Sequence, residues 1–230
     1  MSTIYVARHG QASFGAEEYD QLTDLGLAQA RALGTALAAR VPHLDRVVSG
    51  TRERHRGTAR AIVRAMGSDA PIQLDGAFDE FDHRELLARL DPSYADLGVL
   101  AAEMARELDP MRAFDRLFER AIDRWVHAGH EGGYSETYAA FCARCLGGLA
   151  RLAAALEADA VALVVTSGGP VAVLAADLLG LAPEAGFRLR FGLANAGLTK
   201  IVVTRRGPRL SSFNEHGHLE AHRPSLLTLR

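Results

Sequence analysis

The sequence IYVARHGQASFGAEEYDQLTDLGLAQA at residues 4–30 begins with an apolar run that is typical of a strand, and basic residues follow this run immediately. Its first four residues suit a buried strand, but Arg8 and His9 follow them directly. A guanidinium and an imidazole at the end of a buried strand are costly unless an anionic group comes to meet them. Thr23, a favoured N-cap residue, then opens a helical pattern. The stretch therefore predicts a strand, a turn that receives an anion, and a helix.

The composition is that of an ordinary globular protein. The chain has 230 residues, of which 48% are hydrophobic and 23% charged, enough to bury a sizeable core. A formal net charge of -2 gives no electrostatic reason to expect nucleic acid or a membrane surface as a partner. No secretory leader is recognised, and the apolar stretches at residues 149–166 and 170–183 are too polar to span a membrane, so we expect a cytoplasmic protein.

Strand patterns alternate with helical patterns along the chain. Strands are expected at residues 3–7, 44–48, 71–74, 160–166, 199–204 and 209–213. Helices are expected at residues 24–40, 52–66, 136–157 and 171–180, with Thr23 and Ser135 as the N-caps of the first and third. This order predicts an α/β protein with a mostly parallel central sheet that helices cover on both faces.

Residues 84–130 follow a different pattern. They contain helical stretches punctuated by Pro92 and Pro110, and no strand pattern. We interpret them as a helical insertion over the carboxyl edge of the sheet and as a candidate lid. Since no linker or internal repeat interrupts the sequence, residues 1–230 are expected to form a single domain.

Polar residues follow four of the predicted strands at the point where each strand ends. Arg8 and His9 follow the first strand, Arg54 lies in the helix that follows the second, Glu80 comes after the third, and Ser167-Gly168-Gly169-Pro170 follows the fourth. The carboxyl edge of an open parallel sheet is where ligands bind, so these residues are expected to converge. Glycines and a proline at a helix start leave backbone N–H groups free for an anion. Arginines beside such a helix start favour phosphate.

Each of these residues also has a simpler interpretation. His9 alone could be a packed core histidine, and Arg54 belongs to an arginine-rich run that could be a solvated helix face. Glu80 lies among other acidic residues and could be part of a surface cluster, while the glycine pair could be a plain strand-to-helix connection.

Several motifs together resemble the histidine phosphatase superfamily, the phosphoglycerate-mutase-like proteins. They are RHG after the first strand, LTDLGLAQA, Arg54 four residues before Thr58-Ala59, NAGLTK and FNEHGHL. The similarity runs from Ile4 to Leu219, with the helical insertion matching only loosely. The resemblance implies a three-layer α/β/α sandwich, in agreement with the predicted sheet.

The resemblance also implies a role for each candidate residue. His9 would be the nucleophile that becomes phosphohistidine, and Glu80 would be the proton donor. Arg8, Arg54, Ser167 and the backbone at Gly168 would bind the phosphoryl oxygens. A metal or other cofactor is not implied, and we see no ligand cluster for one.

One position departs from the family pattern. Ser167 stands where the family usually has a second histidine that donates to the transferred phosphoryl group. Loss of one such donor typically costs roughly a hundred- to a thousandfold in rate. His83, close after Glu80, is a possible substitute imidazole, although a histidine at a helix start or on the surface is the more common case.

Three functions follow from these considerations. The first is a phosphomonoester hydrolase of modest activity that acts on a phosphorylated small molecule through His9. The second is a degenerate member that binds phosphate or a phosphorylated partner without efficient turnover. Mutase activity is a weaker third, because RHGQASFG is not followed by the Trp-Asn pair of true phosphoglycerate mutases. The sequence predicts neither the substrate nor the oligomeric state.

Overall fold

The computed structural model describes residues 1–13 and 20–229. Within these residues the chain forms two compact units. The first unit joins Met1–Glu80 to Arg144–Arg230, and the second is Phe81–Ala143.

The first unit is built on a sheet of six strands in the described part of the chain. The strands are β1 (Ser2–Arg8), β2 (Arg46–Ser49), β3 (Ile72–Leu74), β4 (Val161–Thr166), β5 (Leu198–Thr204) and β6 (Gly207–Glu215). Their order is β3-β2-β4-β1-β5-β6. Neighbouring strands from β3 to β1 are parallel, whereas β5 is antiparallel to β1 and β6 to β5. The six predicted strands and the mostly parallel sheet are confirmed.

The helices that the structure describes include those expected from the sequence. They are α1 (Asp24–Ala38), α2 (Glu53–Ala65), α3 (His83–Leu90), α4 (Leu97–Met104), α5 (Pro110–His127), α6 (Tyr138–Ala154), α7 (Gly168–Leu179), α8 (Pro183–Phe187) and α9 (Gly217–Glu220). No helix in the described ranges is both long and apolar enough to cross a bilayer.

Of the two predicted N-caps, one is confirmed. The Thr23 hydroxyl accepts a hydrogen bond from the Gly26 N–H at 3.0 Å at the start of α1. Ser135 does not cap α6, because its hydroxyl donates to the Glu85 carboxylate instead. The helix begins beyond it, where Thr137 accepts from a backbone N–H.

Apolar side chains are buried on both faces of the sheet. One face packs against α1 and α2 in a core that includes Tyr5, Ala7, Leu33, Val47, Ile62, Leu163 and Val165. The alternate residues of β1 and β4 point to the other face and are buried as well: Ile4, Val6, Ala162 and Val164. Residues 168–176 of α7, which contacts β1, are wholly buried. Helices on both faces match the predicted sandwich.

The second unit contains α3, α4, α5 and the start of α6, and no strand among its described residues. Its core is aromatic. The Phe81 and Trp125 ring centroids lie 5.0 Å apart, and the Trp125 and Phe141 centroids 5.5 Å apart. The helical character predicted for residues 84–130 agrees with this composition, and the role of a lid stays a prediction.

Candidate active site

His9 is the first residue after β1, and its ring is held in one protonation state. The ring is 9% exposed, and Nδ1 donates to the Gly10 carbonyl oxygen at 2.7 Å. Burial lowers the pKa of His9 well below its ordinary value, and the charges of Arg54, His55 and Arg8 lower it further against the opposing Gly10 hydrogen bond. The imidazole is therefore neutral. Because its proton is on Nδ1, the lone pair of the ring is on Nε2.

Backbone hydrogen bonds fix the turn that carries His9. The His9 N–H donates to the Thr166 carbonyl at 2.8 Å, which ties the turn to the end of β4. The Gly10 N–H donates to the Thr58 hydroxyl at 3.1 Å, and that hydroxyl donates to the Arg54 carbonyl at 2.7 Å. Thr58 thus joins the turn to α2, and the carbonyl that orients the His9 ring cannot shift freely.

The two predicted phosphate-binding arginines lie in the same unit as His9. Arg54 is 7% exposed and donates to Asp20 Oδ1 at 2.7 Å, so it is not part of a solvated helix face. Arg8 donates to the Leu193 carbonyl. A Cβ added at Gly168 would lie 3.8 Å from Arg8 Nε, which places this guanidinium beside the start of α7.

Glu80 contacts the same helix start from the loop that precedes α3. Its Oε2 accepts a hydrogen bond from the Gly169 N–H at 3.1 Å. Ser167, the last residue before α7, is 1% exposed. Glu80 therefore binds the helix start, and the Arg8 guanidinium lies beside it. His83 is the first residue of α3 in the second unit, and its predicted role stays a prediction.

His55 is the residue that the sequence reasoning missed. It is fully buried on α2, and its Nε2 lies 2.6 Å from Ser167 Oγ. Its ring centroid is 5.6 Å from that of His9. Burial lowers the pKa of His55, and the neighbouring Asp79 opposes that shift. An imidazole therefore does lie beside Ser167, and it comes from α2.

A signal for His55 was present in the sequence. The run RERHR suggested an exposed helix face, yet His55 precedes Thr58 by one helical turn and Ile62 by two. Both of these residues are fully buried in the structure. The position of His55 on the apolar stripe of α2 could have indicated its burial.

Asp79 stands on the other side of the His55 ring. Its Oδ1 is 3.7 Å from His55 Nδ1 and accepts a hydrogen bond from the Thr51 N–H at 2.6 Å. Its Oδ2 accepts from the Thr51 hydroxyl at 2.5 Å. Burial opposes ionisation, but the facing His55 ring and the Thr51 hydrogen bonds lower the pKa of Asp79 to about 2. A Cβ at Gly50 would lie 2.2 Å from His55 Nδ1, so the absence of a side chain at this position makes room for the ring.

The assembled groups are suited to nucleophilic attack on an anion. A neutral histidine with a lone pair on Nε2 lies close enough to Arg54 and Arg8 for both charges to lower its pKa. The Glu80 carboxyl group contacts a helix start whose dipole favours negative charge. Across the described ranges, no group of three or more histidine, cysteine or acidic side chains is arranged to hold a metal ion.

Comparison with known families gives one match. A family model described as the histidine phosphatase superfamily (branch 1) matches residues 4–216. A comparison with curated protein sequences gave no match.

Solved structures share the fold at low sequence identity. A phosphoserine phosphatase from Entamoeba histolytica in complex with 3-phosphoglyceric acid has a TM-score of 0.64 and 19% identity, covering 95% of this chain and 100% of that one. A phosphoglycerate mutase from Bacillus anthracis has a TM-score of 0.66 and 21% identity, covering 94% of both chains. An alpha-ribazole phosphatase from Shigella flexneri has a TM-score of 0.62 and 20% identity, covering 93% of this chain and 96% of that one.

Proposed function

The chain belongs to the histidine phosphatase superfamily, and we propose that it hydrolyses phosphomonoesters through a phosphohistidine on His9. The observation that carries this proposal is the state of the His9 ring. Its Nδ1–H is held by the Gly10 carbonyl and burial keeps the ring neutral, so Nε2 has a lone pair at neutral pH. A nucleophile of this kind needs no separate base to activate it.

The first step transfers the phosphoryl group to the enzyme. His9 Nε2 attacks phosphorus, the bond to the ester oxygen breaks, and Glu80 gives its proton to the departing oxygen. Arg8, Arg54 and the Gly168 N–H stabilise the charge on the phosphoryl oxygens.

The second step returns the enzyme to its starting state. The Glu80 carboxylate takes a proton from water as the water oxygen attacks phosphorus. The N–P bond then breaks, inorganic phosphate leaves, and Glu80 is protonated again. This scheme is independent of any metal.

The substrate in this proposal is a phosphorylated small molecule. The similar structures include one bound to 3-phosphoglyceric acid and an alpha-ribazole phosphatase, which supports a small phosphomonoester as the substrate.

Ser167 favours a second candidate, a protein that binds phosphate with little turnover. The two candidates are separated by His9→Ala, assayed on a panel of phosphomonoesters and for affinity toward inorganic phosphate. For the hydrolase we expect turnover to disappear while phosphate affinity stays within about tenfold, because the arginines supply most of the binding. His43→Ala, which replaces an exposed histidine, is the matched control and should behave as wild type. Turnover that survives His9→Ala would exclude His9 as the nucleophile, and no turnover in the wild type would favour the binding protein.

The role of Glu80 has its own test in the leaving group. Glu80→Gln should slow hydrolysis of an alkyl phosphate by about a hundredfold or more, because the alkoxide cannot leave without a proton. An activated aryl phosphate, whose leaving group needs no proton, should lose much less in the first step. Equal losses on both substrates would contradict the proton-donor role.

A further inference from the structure

Ser167 and His55 form a unit with Asp79 that the mechanism above does not use. We propose that Ser167 is the side-chain donor to the phosphoryl group and that His55, backed by Asp79, is the positioning residue that turns its hydroxyl proton toward the ligand. We further propose that His55 takes up a proton when a tetrahedral dianion enters the site. The catalytic part rests on the proposed function, whereas the proton uptake can be measured by binding alone.

The geometry indicates that His55 acts through Ser167. Its Nε2 lies 2.6 Å from Ser167 Oγ, and its Nδ1 faces Asp79 at 3.7 Å. Both ring nitrogens are thus turned toward protein groups. The ring could not donate directly to a phosphoryl oxygen without leaving Ser167.

Ser167 is placed as a donor to a ligand. It is the N-cap residue of α7, yet its side chain makes no capping hydrogen bond to that helix. Its hydroxyl instead contacts His55 of α2, and Ser167 itself lies directly before the helix start that Glu80 also contacts. Ser167 is 1% exposed and does not cap its own helix, so its hydroxyl is available for the contact with His55 and for a ligand.

The proton on His55 sets the direction of the Ser167 hydroxyl. In the neutral ring, a proton on Nδ1 faces the Asp79 carboxylate, and Nε2 can only accept the Ser167 proton. The serine then turns lone pairs toward an incoming anion. When Nε2 is protonated as well, it donates to Ser167 Oγ and frees the hydroxyl proton for a phosphoryl oxygen. Before proton uptake by His55, the Ser167 hydroxyl presents lone pairs to the ligand. After proton uptake, the same hydroxyl donates a hydrogen bond to the ligand.

The groups around His55 act on its protonation in opposite directions, so a bound anion can change which form of the ring is favoured. Burial and the Arg54 cation hold the ring neutral, and the neighbouring His9 ring adds no negative charge. Asp79 and Asp20 act in the opposite direction. A dianion bound at Ser167 adds negative charge within reach of His55 and favours the protonated ring. Asp79 can accept a hydrogen bond from the His55 Nδ1–H, because the Thr51 hydrogen bonds hold its carboxylate ionised.

The absence of a side chain at Gly50 makes room for His55 and Asp79 to approach each other. An added Cβ there would lie 2.8 Å from Asp79 Oδ1 as well as 2.2 Å from His55 Nδ1. The chain therefore leaves open the space in which these two groups approach each other. His55 Nδ1 is buried and has no hydrogen-bond partner within the described residues, so the contact with Asp79 is available to tighten.

The first experiment measures proton uptake without any turnover. Sulfate, a tetrahedral dianion that does not titrate near neutral pH, is bound calorimetrically in buffers of different ionisation enthalpy. We expect the wild type to take up a fraction of a proton for each sulfate bound. The exposed-histidine control His43→Gln should do the same, and His55→Gln should take up none. His9→Gln should keep the uptake, which separates His55 from the other ring in the site. Uptake that persists in His55→Gln, or that disappears in His9→Gln, would overturn the proposal.

Asp79→Asn provides a second route if His55→Gln does not fold. Loss of the carboxylate removes the charge that supports a protonated ring, so uptake on sulfate binding should move to lower pH. An unchanged pH profile would contradict a role for Asp79. If proton uptake on sulfate binding depends on His55 but no phosphomonoester is hydrolysed, the proposed function fails while the inference about binding stands.

The second experiment is a cycle of single-turnover rates. Ser167→Ala should lower the rate by about a hundredfold, the usual effect of losing one donor to a developing charge. His55→Gln should lower it by about tenfold, since an unassisted hydroxyl remains a donor of about half the strength. The double variant should be no slower than Ser167→Ala. Losses that multiply would mean that His55 contacts the phosphoryl group itself, and a covalent label on Ser167 would make it a nucleophile; either result overturns the proposal.

Discussion

Thr58→Val should loosen the turn that carries His9. The fully buried Thr58 hydroxyl accepts from the Gly10 N–H at 3.1 Å and donates to the Arg54 carbonyl at 2.7 Å. Valine keeps the shape of threonine and removes both hydrogen bonds, so the change leaves no cavity.

The expected loss follows from those contacts. A typical hydrogen bond contributes about 0.5–1.5 kcal/mol net, and a buried N–H left unpaired costs about 1–3 kcal/mol. We therefore expect the free energy of unfolding to fall by about 1.5–4.5 kcal/mol. The Gly10 carbonyl that orients the His9 ring is in the same turn, and a shift of about 1 Å there can cost about a hundredfold in turnover.

Urea unfolding and phosphatase turnover measure the two effects, with Thr58→Ser as the matched control. Serine keeps the hydroxyl and loses one methyl group, so it should cost about 1 kcal/mol and leave turnover near wild type. If valine and serine lost the same stability and activity, packing of the methyl group would be the cause. A valine variant with wild-type stability and turnover would refute the role of Thr58.

Three further predictions follow from the site. Gly50→Ala forces the His55 ring to move and should lower stability by about 1–3 kcal/mol, whereas Gly192→Ala, where an added Cβ meets nothing within 4 Å, should be near neutral in thermal unfolding. Because burial lowers the pKa of both His9 and His55, the unfolded chain binds more protons below about pH 6.5, and stability should fall there by up to about 1.4 kcal/mol per pH unit for each ring. His9→Gln should reduce that slope in urea titrations at neutral and mildly acidic pH, and an unchanged slope would contradict a neutral, buried ring. Arg54→Lys keeps the charge but loses the planar fork, so inorganic phosphate should bind about tenfold more weakly in calorimetry, and unchanged affinity would remove Arg54 from the site.

The sequence was sufficient to predict the strands, because the strand signal is local. The runs at residues 4–7 and Val161–Thr166 are apolar, a glycine follows each within three residues, and both form strands in the sheet. Parallel neighbours bring their carboxyl ends to one edge, which is why Arg8 and Ser167 could be expected near each other. The strand order and the antiparallel β5 and β6 depend on pairing between distant segments, and the local pattern did not indicate them.

Much of the site chemistry depends on tertiary contacts that spacing does not reveal. The ion pair of Arg54 with Asp20 joins segments distant in sequence, and so does the contact of His55 with Ser167. The same arginine-rich run contains Arg54 and His55, which are buried, and Arg56, which is exposed. Which face of α2 is buried is set by its packing on the sheet. Sequence proximity to Glu80 favours His83 as a substitute imidazole and gives no sign of His55, whose contact with Ser167 is tertiary.

The central claim is that the phosphoryl group passes through His9, and rapid quenching of a single turnover tests it most directly. A radiolabelled phosphomonoester is mixed with excess enzyme, and the labelled residue is identified by mass spectrometry. We predict an acid-labile, base-stable label on His9 that forms and decays at rates sufficient for turnover and is absent in His9→Ala. Hydrolysis without a label on His9 at any time, by an enzyme whose His9→Ala variant is equally active, would contradict the account.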